Sequence, residues 1–356
     1  MPYWKNQPMN IHDVKEISII ESDVSINIDL QKTLPNGFKF QTLGPTYLEE
    51  IYALLSNNYI EDNQHIIRLA YSKDFLYWYL KYIPPGFIVG LVYNKKLVGI
   101  VTASFIDMII LQKKIKIPYI NFLCIQSKLR NLGLAPLLMD EIKSRLHKNK
   151  MTCAFFTGMK HISEPFCTTK DYAILINYPK LSEVGFIFDD LTPIPKLSDN
   201  PLHLIVASDI DYVVPKLNKF MEKFAARPFF TNESAHHFLL PKKNIVYTFV
   251  NKDSNNNITE MITVYKNYLY CIEKNKIITV AQLAFYYHET MDLTQLIIYL
   301  LDKLPSYNID ELIFKNTMDN TDINITKFST YGQLHYFLYN RSVPKLEPND
   351  LCFFPF

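Results

Sequence analysis

Apolar residues along this chain follow two patterns, one recurring every three to four positions and one alternating or continuous over short runs. Together they predict helices and strands in the same order twice. The first set has helices over 46–58 and 73–82, strands over 87–93 and 97–105 joined at Asn94-Lys95-Lys96, a strand over 118–125, a helix over 134–147 and a strand over 152–156. The second has helices over 211–224 and 231–240, strands over 245–251 and 258–265 flanking the turn-rich run D-S-N-N-N, a strand over 277–287, a helix over 293–304 and a strand over 311–314. No residue-level repeat accompanies this order. The pattern predicts an α/β (α+β) protein made of two fused copies of one α/β unit, with the boundary in the Pro/Asp-rich segment 191–201 and halves at 1–190 and 191–356.

Within the first set, the stretch 119–136 joins a buried strand to a basic loop that opens a helix. Ile120, Phe122, Cys124 and Ile125 suit the strand, and the polar run 126–131 ends it. Leu134, Leu138, Ile142 and Leu146 recur every four residues on one helix face, and Pro136 is tolerated in the first turn, where its missing N–H would have had no partner. Gly133 permits the tight turn. The free N–H groups of a helix start carry partial positive charge, and Lys128 and Arg130 add full charge, which suits a pyrophosphate. Taken alone, these residues are explained equally well as a strand, a loop and a helix with solvated charges.

Composition narrows the classes. A net charge of +2 over 356 residues, without an extended basic run, gives no case for nucleic acid. The five cysteines at 124, 153, 167, 271 and 352 show no C-x-x-C spacing, which argues for reduced thiols and against a disulfide framework or a zinc site. His236-His237 is the only histidine pair, and adjacent residues on a helix do not face one point, so no metal is expected. The first ten residues have no apolar core of a signal peptide, and no apolar run approaches the ~18 residues of a membrane span. A soluble, cytoplasmic protein is expected. Its last six residues, Leu351-Cys352-Phe353-Phe354-Pro355-Phe356, are apolar and would be an exposed liability unless tucked into the protein. Burial raises the pKa of a terminal carboxylate and makes it a better base, although a tail docked without a catalytic part is the simpler explanation of these residues alone.

Several longer motifs resemble one family. Asn121-Phe122-Leu123-Cys124-Ile125, followed by Lys128-Leu129-Arg130 and Leu134-Ala135-Pro136, looks like the acyl-CoA-binding signature of the protein N-myristoyltransferases. Tyr3-Trp4-Lys5-Asn6-Gln7-Pro8 is similar to the family's F-W-x-T-Q-P entry. Asn58-Tyr59-Ile60-Glu61-Asp62, with Arg68 and Tyr71 behind it, is similar to its N-Y-V-E-D loop. Phe224, Pro228, His237 and Pro241 keep the family's spacing, and Gly332-Gln333-Leu334 with Tyr336-Phe337-Leu338-Tyr339-Asn340 resembles its G-x-L-x-Y-Y-L-Y-N strand.

The resemblance implies two acyl-CoA N-acyltransferase-like units in a pseudo-twofold arrangement on a saddle-shaped mixed sheet. The first half would hold the acyl-CoA and the second would supply much of a peptide groove. It implies transfer of a fourteen-carbon acyl group from myristoyl-CoA, a co-substrate used without a prosthetic group, to the α-amine of an N-terminal glycine, by a monomer. The backbone N–H groups of Phe122 and Leu123 would form an oxyanion hole, and the terminal carboxylate on Phe356 would be the base. Acyl-CoA contacts are implied for Pro2, Tyr3, Trp4, Phe122, Leu123, Cys124, Ile125, Lys128, Arg130, Asn131, Leu132, Gly133, Leu134, Ala135 and Pro136. Peptide contacts are implied for Ile60, Glu61, Asp62, Ile67, Leu69, Tyr71, Thr157, Gly158, Tyr172, Tyr286, Gly332 and Leu334.

The chain departs from the family at several of these places. Asn63 and Gln64 stand where the family continues with aspartates, and Asp171-Tyr172-Ala173-Ile174 replaces a Tyr-Trp-His-Arg run. Tyr331 stands where the D-G-x-L element has its acid, and Leu132-Gly133 replaces two basic residues. A weak preference for a basic residue downstream of the glycine is therefore expected, carried by Glu61 and Asp62. A short-chain N-acetyltransferase and a non-catalytic acyl-CoA-binding protein stay open as alternatives.

Overall fold

The computed structural model describes residues 2–9, 14–20, 34–59, 67–186 and 197–356. The first half contains α1 (Pro2–Lys5), β1 (Ser18–Ile19), β2 (Phe38–Thr42), α2 (Leu48–Asn58), β3 (Ile67–Ala70), α3 (Lys73–Tyr82), β4 (Ile88–Tyr93), β5 (Lys96–Ile110), β6 (Lys113–Ile125), α4 (Leu134–Lys148), β7 (Ala154–Gly158), β8 (Cys167–Leu175) and α5 (Tyr178–Glu183). The second contains β9 (His203–Leu204), α6 (Ile210–Phe220), β10 (Ala226–Pro228), α7 (Asn232–Phe238), β11 (Val246–Lys252), β12 (Ile258–Cys271), β13 (Lys276–His288), α8 (Leu293–Lys303), β14 (Glu311–Lys315), β15 (Phe328–Tyr339) and β16 (Arg341–Ser342).

Fourteen strands share one mixed sheet in the order β2-β4-β5-β6-β7-β15-β8-β14-β13-β12-β11-β9, with β10 on β5 and β3 on β12. This order reads the same from both ends once β2, β4, β5, β6, β7 and β8 are matched with β9, β11, β12, β13, β14 and β15. In each unit the third long strand and the strand after the crossover helix are parallel, β6 with β7 and β13 with β14. The pseudo-twofold passes between β15 and β8, which pair with each other. The last strand of each unit has crossed over: β8 pairs with β14 of the second half, and β15 pairs with β7 of the first. The short strands are exchanged as well, β3 onto β12 and β10 onto β5.

Local chemistry accounts for most of these elements. The α4 face predicted from Leu134, Leu138, Ile142 and Leu146 is the buried one, and each such side chain contributes about 1.5–3 kcal/mol by leaving water. Asn94 and Lys95 take positive φ values of 48° and 65°, as a two-residue hairpin turn requires. The strands expected over 97–105 and 118–125 are longer, because β5 and β6 continue to a second two-residue turn at Leu111 and Gln112, with φ values of 48° and 67°. Neither residue type favours that region. The expected strand over 152–156 lies two residues later, and the helix over 211–224 ends at Phe220 and tightens into a 3-10 turn. Among the described residues no helix is long and apolar enough to cross a membrane, and no cluster of ligating side chains could hold a metal ion.

Strand exchange makes each half incomplete without the other. Residues 1–190 expressed alone should show no cooperative unfolding transition and poorly dispersed amide resonances, and mixing with 191–356 should restore both. A cooperative transition in the isolated first half would contradict this.

Candidate active site

Near the sheet's centre, β6 and β7 run parallel but share only two register positions, Tyr119 with Phe155 and Ile120 with Phe156. Beyond them the strands part, with Asn121 on one side of the mouth and Thr157 on the other. A bulge in β6 shapes this mouth: Asn121 pairs with Thr102 and Cys124 with Ile100, so Phe122 and Leu123 together face Val101. Phe122 has φ of 52°, a conformation that costs a non-glycine residue on the order of 1–3 kcal/mol. Its ring is fully buried against Tyr59, Tyr71 and Tyr79, at centroid distances of 5.6, 5.2 and 5.4 Å, which fixes the strained residue in place.

Asn121 is the hub of the mouth. Its Nδ2 donates to the terminal oxygen of Phe356, and its Oδ1 accepts from the Phe122 N–H at 2.8 Å and from the Tyr59 hydroxyl at 3.3 Å. The apolar tail is tucked in as expected, with Leu351, Cys352, Phe353 and Phe354 buried. The Cys352 N–H donates to the Ala226 carbonyl at 2.8 Å. The Phe356 ring sits among Trp78, Tyr79, Phe238, Tyr265 and Phe354, at centroid distances of 5.0–6.1 Å. Across the mouth, the hydroxyls of Thr157 and Tyr119 are 3.2 Å apart.

Burial keeps the other titratable groups here neutral. It pushes the phenols of Tyr59, Tyr71 and Tyr119 up, takes that of Tyr79 to about 12, and raises the Cys124 thiol to about 12. His237, stacked between Trp78 at 4.5 Å and Tyr82 at 4.4 Å, is held down at about 4 by burial, and its Nε2 has no hydrogen-bond partner among the described residues.

The loop between β6 and α4 differs in one respect from the expectation. Arg130 was expected to offer a free charge, yet its guanidinium donates to the carbonyl oxygens of Asn58 and, at 3.3 Å, Ile125. It clamps the loop to the end of α2, with the Ser127 N–H donating to Asn58 Oδ1 at 2.8 Å. Lys128, Asn131, Leu132 and Gly133 are exposed, and Asn131 and Gly133 have φ of 68° and 73°. Leu134 is buried, and Ala135 and Pro136 are half-buried behind them. No side chain caps α4, so its first N–H groups stay open to an anion. Its counterpart α8 is closed by Asp292, whose carboxylate accepts from the Gln295 N–H at 2.8 Å.

Pro2, Tyr3 and Trp4 lie in α1, which reaches the middle of α4. The Tyr3 hydroxyl donates to Asp140 at 2.9 Å, and Trp4 stacks on Phe156 at 5.3 Å. Beneath them is an apolar cleft lined by Ile120, Met139, Ile142, Leu146, Phe156 and Tyr339 among others.

The expected peptide residues divide into separate groups. Ile60, Glu61 and Asp62 lie outside the described residues, as do Asn63 and Gln64. Ile67 and Leu69 sit on β3, and Tyr71 follows it beside Phe122. Thr157 and Gly158 pair with Tyr336 and His335, and Leu334 pairs with Thr169. Gly332 lies in a bulge of β15 opposite β8. Tyr172, on β8, stacks on Phe314 at 6.0 Å. Tyr286 is fully buried, its hydroxyl donating to Asn320 Oδ1 at 3.0 Å and accepting from the Asp319 N–H at 3.2 Å, so it braces a turn rather than lining an open groove. The Asn121 side chain is not among the residues expected at the site. A lone amide inside the apolar run 119–125 was the signal for it.

Comparison with known proteins places this geometry in context. Residues 20–169 match the N-terminal domain of the myristoyl-CoA:protein N-myristoyltransferase family, and residues 191–350 match its C-terminal domain. A relative from Acanthamoeba polyphaga mimivirus, named as a glycylpeptide N-tetradecanoyltransferase, is 51% identical over 345 residues, covering 96% of each chain. The structure of Saccharomyces cerevisiae N-myristoyltransferase with bound myristoyl-CoA superposes with a TM-score of 0.86 at 24% identity, over 97% of this chain and 94% of that one. A GCN5-related N-acetyltransferase from Anabaena variabilis superposes at 0.51 with 10% identity, over 85% of this chain and 72% of its own.

The stacked His237 generates a pH prediction. Its folded value of about 4 lies below the usual 6.5, so from pH 6.5 down to 4 the unfolded chain takes up a proton that the folded protein refuses, and stability falls through that window. At 1.36 kcal/mol per unit the loss reaches at most ~3 kcal/mol. Glu311, raised to about 7 by burial and Asp310, acts in the opposite sense and is common to both proteins in the comparison. Urea unfolding at pH 7 and pH 4 should show wild type losing up to ~3 kcal/mol more than His237→Phe, which keeps both stacks. Equal losses would contradict a neutral buried imidazole.

Proposed function

This chain belongs to the myristoyl-CoA:protein N-myristoyltransferase family, and from that premise we propose how its own residues carry out the reaction. It is an N-myristoyltransferase, moving a tetradecanoyl group from myristoyl-CoA to the α-amine of an N-terminal glycine. The observation that carries the residue assignment is the Asn121 side chain, which holds the Phe356 oxygen beside the bulge that presents Phe122 and Leu123.

The pyrophosphate sits at the uncapped start of α4, with Lys128 and the amides around Gly133 facing it. Arg130 acts through the loop it anchors. Tyr3 and Trp4 cover the donor, and the apolar residues beneath them face its acyl chain. At the mouth, the glycine amine attacks the thioester carbon. Charge grows on the carbonyl oxygen as the C–N bond forms, and the CoA thiolate leaves as the C–S bond breaks. Leu123 N–H is the donor presented to that oxygen, and Phe122 N–H joins when Asn121 Oδ1 releases it. One such donor is typically worth about 3 kcal/mol. An α-amine titrates near ~8, and only its neutral form is a nucleophile. The Phe356 carboxylate takes one ammonium proton before attack, and Thr157, oriented by Tyr119, accepts a hydrogen bond from a second N–H of the same nitrogen. The proton that the nitrogen loses after attack goes to the departing CoA thiolate.

The halves at 1–190 and 191–356 then divide the work, the first binding donor and the second walling the acceptor groove. A single chain supplies both, which supports a monomer. All five thiols are free and buried, which supports a reducing, cytoplasmic setting.

Two outcomes are expected. One glycine added after Phe356 shifts the carboxylate by roughly 3.5 Å, and positional errors of ~1 Å can cost about 100-fold. Single-turnover transfer should fall at least that far with myristoyl-CoA affinity unchanged. A wild-type rate from the folded variant would assign the base elsewhere. Deletion through Pro8 should weaken binding of a non-hydrolysable myristoyl-CoA by at least about tenfold, ~1.4 kcal/mol. Unchanged affinity by calorimetry would remove α1 from the donor site.

A further inference from the structure

One face of the sheet carries a row of side chains from the mouth outwards. Thr157 on β7 is the register partner of Tyr336 on β15, which also pairs with Cys167 on β8. Cys167, Thr169 and Asp171 alternate onto that same face, and Asp171 is the direct partner of Lys315 on β14. Tyr336, Cys167 and Thr169 are fully buried, so only Thr157 and Asp171, at the two ends of the row, are open to a peptide. From Thr157 to Asp171 is two strand spacings of about 4.8 Å across and four residues of about 3.3 Å along. That is roughly 16 Å, or about five residues of an extended peptide.

At that point the structure has a carboxylate with unusual support. Asp171 Oδ2 lies 2.6 Å from the place where a Cβ on Gly332 would be, so the acid fills space that only glycine leaves. Its Oδ1 accepts from Lys315 Nζ, and both side chains remain partly open, at 25% and 20% exposure. The acid missing at Tyr331 is thus matched by an acid on the neighbouring strand, and that acid already holds a lysine of the same chain.

Building on the proposed N-myristoyltransferase reaction, we propose that Asp171 reads the residue about five positions after the acceptor glycine, and that Lys315 occupies it as a built-in competitor of a basic peptide side chain. A peptide lysine must displace Lys315 from Asp171. The reward for that lysine is therefore only the difference between two similar ion pairs. Removing Lys315 turns the groove towards cations, and neutralising Asp171 frees Lys315 to turn it towards anions.

The test is a ratio of kcat/KM for paired N-terminal glycine peptides, measured on one preparation so that general losses of activity cancel. Any contribution from Glu61 and Asp62 is common to all variants. In Lys315→Met, the preference for lysine over alanine at the fifth position after glycine should rise at least tenfold over wild type. In Asp171→Asn, it should fall, and glutamate should gain at least tenfold over alanine. An unchanged lysine ratio in Lys315→Met overturns the proposal. If that variant does not fold, the Asp171→Asn ratios decide alone, and no gain for glutamate there overturns it. Absence of acyl transfer by wild type to any of these peptides would instead defeat the underlying reaction.

Discussion

The Asn121 amide is the interaction on which the site depends. It bonds the end of the chain through Nδ2 and the strained Phe122 amide through Oδ1, so tail and bulge are set by one side chain. Both are costly alone. A positive φ disfavours a phenylalanine, and a half-buried terminal oxygen without a donor would lose part of its hydration. The surrounding rings make the arrangement hold: Tyr59, Tyr71 and Tyr79 enclose the Phe122 ring, and Trp78, Phe238 and Tyr265 enclose that of Phe356. Because these groups stay neutral, no ionised phenol, thiol or imidazole stands beside the terminal carboxylate.

Among the described residues, the two copies related by the pseudo-twofold differ at this place. Both units have a bulge at the same place, in β6 opposite β5 and in β13 opposite β12. In the second unit the following helix is closed by the acid of Asp292, and among the described residues no left-handed residue lies at the bulge. An anion is repelled where the first unit would bind it. Exchange of β8 and β15 then brings strands of both units to the mouth, so acceptor and donor sides meet without a flexible interface.

Much of this was legible in the sequence, for identifiable reasons. The α4 face, the Gly133 turn and the apolar tail follow from periodicity, φ preference and the cost of exposed rings. Strand exchange was not legible, because a strand's pattern records which face is buried and not which neighbour it pairs with. The turn at Leu111 and Gln112 was hidden by residue types that seldom adopt positive φ. The anchoring role of Arg130 was not legible, because sequence shows its charge and not the carbonyls of Asn58 and Ile125 that engage it. The Asp171–Lys315 pair was invisible as a unit, since 144 positions separate its members. Tyr286 resembled a groove residue but is consumed by Asn320 and Asp319.

The central claim is that the carboxylate on Phe356, held by Asn121, accepts the amine proton. A semisynthetic protein ending in the Phe356 carboxamide keeps the ring, the tail and an oxygen for Asn121 while removing the base. General bases contribute about 10²–10⁴-fold, so single-turnover acyl transfer by the carboxamide protein should fall at least ~100-fold with myristoyl-CoA affinity unchanged. Transfer at the wild-type rate would contradict the account.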